Sequence, residues 1–418
     1  MVGRASRRRG RTAVFNGKGA IDAQLADSMR QTGNPGYVLL SYGFRPFFLA
    51  AAAWAMVDMI LWMSLFEHGG NLPSRFDPLS WHIHEMLFGF IMAAIAGFLL
   101  TAVANWTGRP PIRGWLLGLL VTAWVVGRLA CMFSLAMNPW LVIILDLALP
   151  VLLVLLVARE IVQARNWRNL VMVAPVTVLA IANLLMHLES IGANVAPGLG
   201  WRLGIASVLV LVSAVAGRIV PAFTRNWLRK RGAEGPAPHG VVDRLALGGL
   251  HVALFVWVFL PADTVSGILL LMGSLLNAGR LFRWQGQKTQ DEPLLLILHI
   301  GYAWLVIGVA LLGVSTFAGP VPLSAALHSL TVGAMGTMIV AVMTRVTRGH
   351  TGRPLTAAGV TQVLFAAIQA ATVTRVLAGF EIWTNGLLTL SAICWILAFV
   401  GFVVIYGPML ARKRVAME

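Results

Sequence analysis

Twelve apolar runs, each about 20 residues long, set what this 418-residue chain can fold into. They lie at 47–66, 80–104, 115–136, 139–161, 169–189, 199–220, 241–260, 262–283, 293–315, 322–346, 357–379 and 384–410. A run of that length crosses the roughly 30 Å hydrocarbon core of a bilayer as a helix. In lipid the backbone must satisfy its own hydrogen bonds, so each run is expected to be helical. The connections are short and leave no room for a soluble domain. Two are tight hairpins, at Asn138-Pro139 and Pro261-Ala262. The expected fold class is an all-α polytopic membrane protein with twelve transmembrane helices. A basic tail (1–46) precedes the membrane domain (47–410), and a short tail (411–418) follows it.

Composition agrees. The chain is 58% hydrophobic and only 11% charged, where a soluble domain carries roughly 25% charged residues. That excludes disorder and argues against a soluble enzyme. The net charge of +16 alone would invite a nucleic-acid reading. The location of the charge removes it. With the N-terminus cytoplasmic, 28 of the 32 basic residues fall on the cytoplasmic side. Arg75 and Arg202 lie opposite, and Arg128 and Arg375 lie inside spans. This is the positive-inside bias, with both termini cytoplasmic and no nucleic-acid partner. The Arg-rich start has no apolar stretch before residue 47, so it reads as a retained tail touching anionic lipid, not a signal peptide.

The chain repeats itself. His84–Pro110 reads HEMLFG, seventeen residues, then TGRP; His328–Pro354 reads HSLTVG, seventeen residues, then TGRP. VVGRLA around Arg128 resembles TVTRVLA around Arg375. FTRNW at 223–227 resembles MTRVT at 343–347, which gives a weaker third copy. The expectation is three four-helix units, about 47–168, 169–290 and 291–410, with spans two, six and ten equivalent. Ile205 replaces the histidine in the middle unit. The units either share a site built by the first and third, or record a duplication without one.

Polar side chains inside spans are costly and mark function. Trp81-His82-Ile83-His84-Glu85-Met86 opens span two. In a helix, His82 and His84 point about 200° apart, so they are not expected to chelate one ion. His84 and His328 at matched depth suit bis-imidazole haem ligation or part of a copper site. Otherwise they are neutral imidazoles bonded to backbone or to Glu85. His299 and Tyr302 share a face of span nine, and with His350 they outline an inner site. Tyr302 is a candidate proton or electron relay. Arg128, Arg218 and Arg375 either pair with Glu85, Asp58 or Asp146, or hold haem propionates. Arg345 lies at a cytoplasmic boundary where a propionate or lipid phosphate fits. Cys131 and Cys394 form no Cys motif, so a redox metal is expected to rely on His, Met or carboxylate ligands.

The motifs SYGFRPFFL (41–49), WHIHEMLFGF (81–90), NWTGRPP (105–111), FTRNWL (223–228), LHIGYAW (298–304) and VMTRVTRGHTGRP (342–354) together resemble the NnrS family. The resemblance runs from about residue 38 to 410. It implies a bacterial inner-membrane protein with haem and copper, linked to nitric oxide and denitrification. The expected function is then a haem- and copper-binding redox protein of nitric oxide metabolism or nitrosative-stress protection. It would use haem b and copper and meet nitric oxide or a related diatomic, with a quinol or other electron donor. The adjacent His-His pair of haem–copper oxidases is missing, so their mechanism is not carried over. The alternatives are a transporter of metal, haem or a small anion, and an assembly or sensing partner of a denitrification complex.

Overall fold

The structure, a computed structural model, describes residues 38–415 except 318 and 320. Most of the basic N-terminal tail, including Arg4 to Arg30, and residues 416–418 lie outside the described residues. Twelve helices are long and apolar enough to cross a membrane. They are α1 (Phe44–His68), α2 (Pro78–Thr107), α3 (Trp115–Met132), α4 (Pro139–Gln163), α5 (Trp167–Ser190) and α6 (Leu199–Arg229), then α7 (Val241–Phe259), α8 (Thr264–Lys288), α9 (Pro293–Ser315), α10 (Leu323–His350), α11 (Gly359–Ala378) and α12 (Thr384–Ala411). Among the described residues there is no strand.

Local chemistry sets the helix ends. Asp77 accepts from Leu79 N and Ser80 N ahead of Pro78, which opens α2. Asn138 does the same for Trp140 N and Leu141 N before Pro139. Such caps satisfy amides that have no intrahelical partner. α6 runs past its expected end at 220, through Pro221, to Arg229. Its last turns carry Arg225 and Asn226, so a polar helix continues out of the apolar layer. At the same face Arg45 donates through Nη1 to Leu410 O (2.5 Å) and Arg412 O (2.8 Å), tying the start of α1 to the end of α12. Val38, Tyr42, Phe44 and Arg45 are buried, so the membrane domain packs residues that precede 47.

α2, α6 and α10 meet one another at the centre, and α12 packs on α1. In their most apolar windows 83%, 61% and 72% of the residues are buried, against 56% or less in every other helix. A narrow apolar crevice of about 80 Å³ lies between them. Ala94 and Phe98 from α2, Val215 and Ile219 from α6, and Met338 and Val342 from α10 line it. Two of these helices change winding in the same place. A π-helical segment, Glu85–Ile91, follows His84 directly. Another, Ser329–Gly336, follows His328. α6, which has Ile205 instead of the histidine, is a continuous α-helix. A π-turn carries an extra residue per turn and re-aims the side chains around it.

Candidate metal centre

Four helices bring ligand atoms together near the Arg-poor face. His84 from α2, Cys131 from α3, Asp146 from α4 and His187 from α5 offer one ligand atom each, all within 4.8 Å of one another. All four residues are buried. Each chain segment supplies its part for a local reason. His84 sits where α2 passes from α- to π-winding. Asp146 lies two turns inside α4 and faces α3, where Gly127 lets the two backbones approach. Asn183 and His187 are four residues apart and share one face of α5.

The hydrogen bonds determine the charge. Arg128 donates through Nη1 to Glu85 Oε2 (2.7 Å) and through Nη2 to Asp146 Oδ1. Asn183 Nδ2 (2.8 Å) and His187 Nε2 (2.9 Å) both donate to Asp146 Oδ2. Because the Asn183 amide nitrogen is committed to Asp146, its Oδ1 accepts from His84 Nε2 at 2.9 Å. His84 Nδ1 lies 3.1 Å from Glu85 Oε1, so a proton must stand between these two atoms. His84 Nε2 is also 3.2 Å from the Asp146 carboxylate. One arginine faces two carboxylates, which leaves one negative charge in excess. A shared proton on His84–Glu85 neutralises it, and a monovalent cation at His84 would do the same.

The sequence expectations meet this site unevenly. Of the three intramembrane arginines, Arg128 takes both Glu85 and Asp146. Arg218 and Arg375 do not meet the carboxylates: Arg218 donates to Asn169 Oδ1 (3.0 Å) and Arg375 to Ser324 Oγ (3.1 Å). Asp58 serves His82, whose Nδ1 lies 2.6 Å from Oδ1. His82 also stacks on Trp62 at 4.7 Å. His82 and His84 therefore face different partners, as their angular separation requires. Asn183, His187 and Cys131 carry much of the cluster and were not chosen from sequence. Cys131, on a helix of its own and outside any Cys motif, stands beside these candidate ligand atoms. The i, i+4 spacing of Asn183 and His187, two polar residues in an apolar span, was the available signal.

The remaining candidates lie elsewhere. His328 Nδ1 donates to Ser324 O at 2.7 Å, which leaves Nε2 as the lone-pair nitrogen. It does not share the partners of His84; its electrostatic neighbours are Arg375 and His82. His299 Nε2 meets Thr224 Oγ1 at 3.0 Å. Tyr302 donates to Asn277 Oδ1 (2.6 Å) and accepts from Arg280 Nη1 (2.9 Å), while Arg280 Nε reaches Asp243 (3.2 Å). Arg345 stacks over Phe223 at 4.2 Å. The inner pairing of His299 with His350 is not assembled by these contacts, because the ring of His350 packs against Tyr42 (5.8 Å) and Phe44 (5.4 Å).

A search of curated proteins returns no match to this chain. A protein-family model does match: the family described as NnrS protein, over residues 38–414. That interval takes in all twelve membrane helices and every residue of the cluster, and the chain belongs to the NnrS family.

Proposed function

We propose that this chain is a metal-binding membrane redox protein of nitric oxide chemistry, with copper at His84, His187, Cys131 and Asp146. One observation carries the reading: four ligand atoms from four helices converge within 4.8 Å in a buried network whose charges balance only with a proton, or a cation, added at His84. Two imidazoles and a sulfur suit copper in either oxidation state. When bound there, the metal supplies one-electron chemistry in a dry site of low dielectric.

The chain's own residues do the rest. Arg128 fixes both carboxylates, and Asn183 orients Asp146 and His84 together. His84 Nε2 would give up its proton to a bound metal, while Nδ1 keeps the proton that faces Glu85. Ligand imidazoles usually donate their second nitrogen to an oxygen acceptor, and His84 Nδ1 has Glu85 for that role. For haem b the candidate ligands are a different pair. His328 and His82 each commit Nδ1 to an oxygen and leave Nε2 as the lone pair, and Arg375 stands nearby for a propionate. We further propose that α2, α6 and α10 are equivalent members of three four-helix units. The central meeting of these helices supports this, as do the two π-segments. The bacterial inner membrane, with both termini cytoplasmic, is the location that the charge pattern supports.

The test is metal analysis and absorption spectroscopy on the purified full chain, before and after adding nitric oxide. Copper near one per chain, and a haem Soret band that shifts with nitric oxide, are the expected results. Protein expressed with ample copper and haem that carries neither would overturn the reading.

A further inference from the structure

A second feature lies at the opposite, Arg-rich end, between α8 and α9. There a cleft of about 450 Å³ is lined by Leu281, Phe282, Gly286, Gln287, His299 and Ile300, among others. No lining residue is Asp, Glu, Lys or Arg. Its rim is on the outer surface of the bundle: Phe282 is 76% exposed and Ile307 44%. In a bilayer this mouth opens to lipid, near the basic interface.

Inside the cleft one polar atom lacks a partner. His299 is 5% exposed, and its Nδ1 makes no hydrogen bond. Its identity as an acceptor follows from its neighbours. Thr224 Oγ1 has one hydrogen, which it gives to Val220 O at 2.9 Å. His299 Nε2, 3.0 Å from the same oxygen, must then be the donor. The imidazole is thus the Nε2–H tautomer, and Nδ1 presents a lone pair. It points at Gly286, where an added Cβ would lie 2.7 Å from Nδ1. Two further buried polar atoms without partners belong to the residues that precede Gly286, Trp284 Nε1 and Gln285 Oε1. The Trp284 ring is 6.4 Å from that of His299.

An unmet acceptor in an apolar, water-poor place is costly. An acyl chain fills the volume but brings no donor. A free metal ion finds one ligand here, not three or four. A haem finds no cation for its propionates among the lining residues. A hydroxylated aromatic ring dissolved in the bilayer meets every requirement: apolar faces, an O–H for Nδ1, and a second oxygen for the amide of Gln287. We propose that this cleft binds a lipid-soluble quinol, with His299 Nδ1 accepting the hydrogen bond from one ring hydroxyl. The site rests on the redox reading above for its purpose, since it gives the electron donor a place; its occupancy is measured separately.

The probe is decylubiquinol, titrated into the full chain in nanodiscs under reducing conditions and followed by tryptophan fluorescence. Saturable binding is expected. His299→Leu removes the lone pair, and Gly286→Ala places a Cβ 2.7 Å from Nδ1 and 2.8 Å from Cγ, so the imidazole must turn out of its present position. Each should weaken binding about tenfold or more, with copper content unchanged. If His299→Leu fails to fold, Gly286→Ala decides. No saturable binding beyond that of lipid-only nanodiscs overturns the proposal. So does unchanged affinity in the variants that fold, or loss of a haem band in His299→Leu, which would make Nδ1 an iron ligand. Absence of copper from wild-type protein sinks the redox reading instead and leaves the quinol titration interpretable.

Discussion

Arg128 and Asp146 face each other from adjacent helices, joined through Nη2 and Oδ1, and the same guanidinium holds Glu85 on α2 with its other nitrogen. Both partners are completely or almost completely buried. One cation therefore locks α2, α3 and α4 around the ligand cluster. Removing one partner of a buried ion pair costs about 3–5 kcal/mol. Arg128→Met should lower the thermal unfolding temperature of the purified protein sharply or abolish folding. Arg128→Lys should rescue little, because a point charge cannot replace a planar fork that bridges two carboxylates. A Lys variant as stable as the wild type would contradict this account.

Metal binding should depend on the cluster atom by atom. His187→Ala and Cys131→Ser each remove one donor without leaving a buried charge. Copper affinity in each is expected to fall by about 100-fold or more, on the order of 3 kcal/mol per ligand, while the folded yield stays near normal. Competition with a chelator of known affinity measures this. Normal affinity in both variants would exclude the cluster as the site.

Copper affinity should also rise with pH. Copper at His84 Nε2 would replace the proton on that nitrogen, and ligation requires unprotonated imidazole. Protons are released on binding, so raising the pH favours the bound state. Titrations between about pH 6 and 8 should show tighter binding at the upper end. Affinity that falls as pH rises would mean that the proton is not displaced.

Gly217 sits on α6 against the Arg280 guanidinium, so a Cβ there would collide with the arginine. Gly217→Ala is expected to push Arg280 off Tyr302 and Asp243. The cost should be about 1–3 kcal/mol, as for other overpacked sites. The measurement is thermal unfolding of the variant beside Gly248→Ala, where an added Cβ meets open space. Equal stability of the two would show that Arg280 moves freely.

The π-segments predict a comparable sensitivity. Gly89 lies within the first and abuts the indole of Trp54. Gly333 lies within the second, and a Cβ there would stand 2.9 Å from Trp304. Gly89→Val and Gly333→Val should each destabilise the fold, and Gly89→Val should also lower copper affinity, because its helix carries His84. Copper binding that is untouched in a folded Gly89→Val protein would uncouple the winding from the site.

Much of the fold was legible because membrane insertion is written locally. Apolar run length, Asp77, Asn138 and Pro139 at helix starts, and the one-sided arginines each act within a few residues of themselves. Both His84 and His328 directly precede π-segments, which neither stretch of sequence announces. The site was less legible because its parts come from four helices. His84 and Glu85 stand out in sequence as neighbours. Cys131, Asp146 and His187 do not, since a single polar residue in an apolar span carries no record of what faces it. Arg128, Arg218 and Arg375 look alike in sequence, yet only helix packing gives Arg128 two carboxylates and the others neutral oxygens. The sequence by itself determined that the chain is a twelve-helix membrane protein with histidines near both ends of its spans. Tertiary structure alone decided which imidazoles are tied into a charge network and which keep a lone pair, because that depends on how helices distant in sequence rotate against one another.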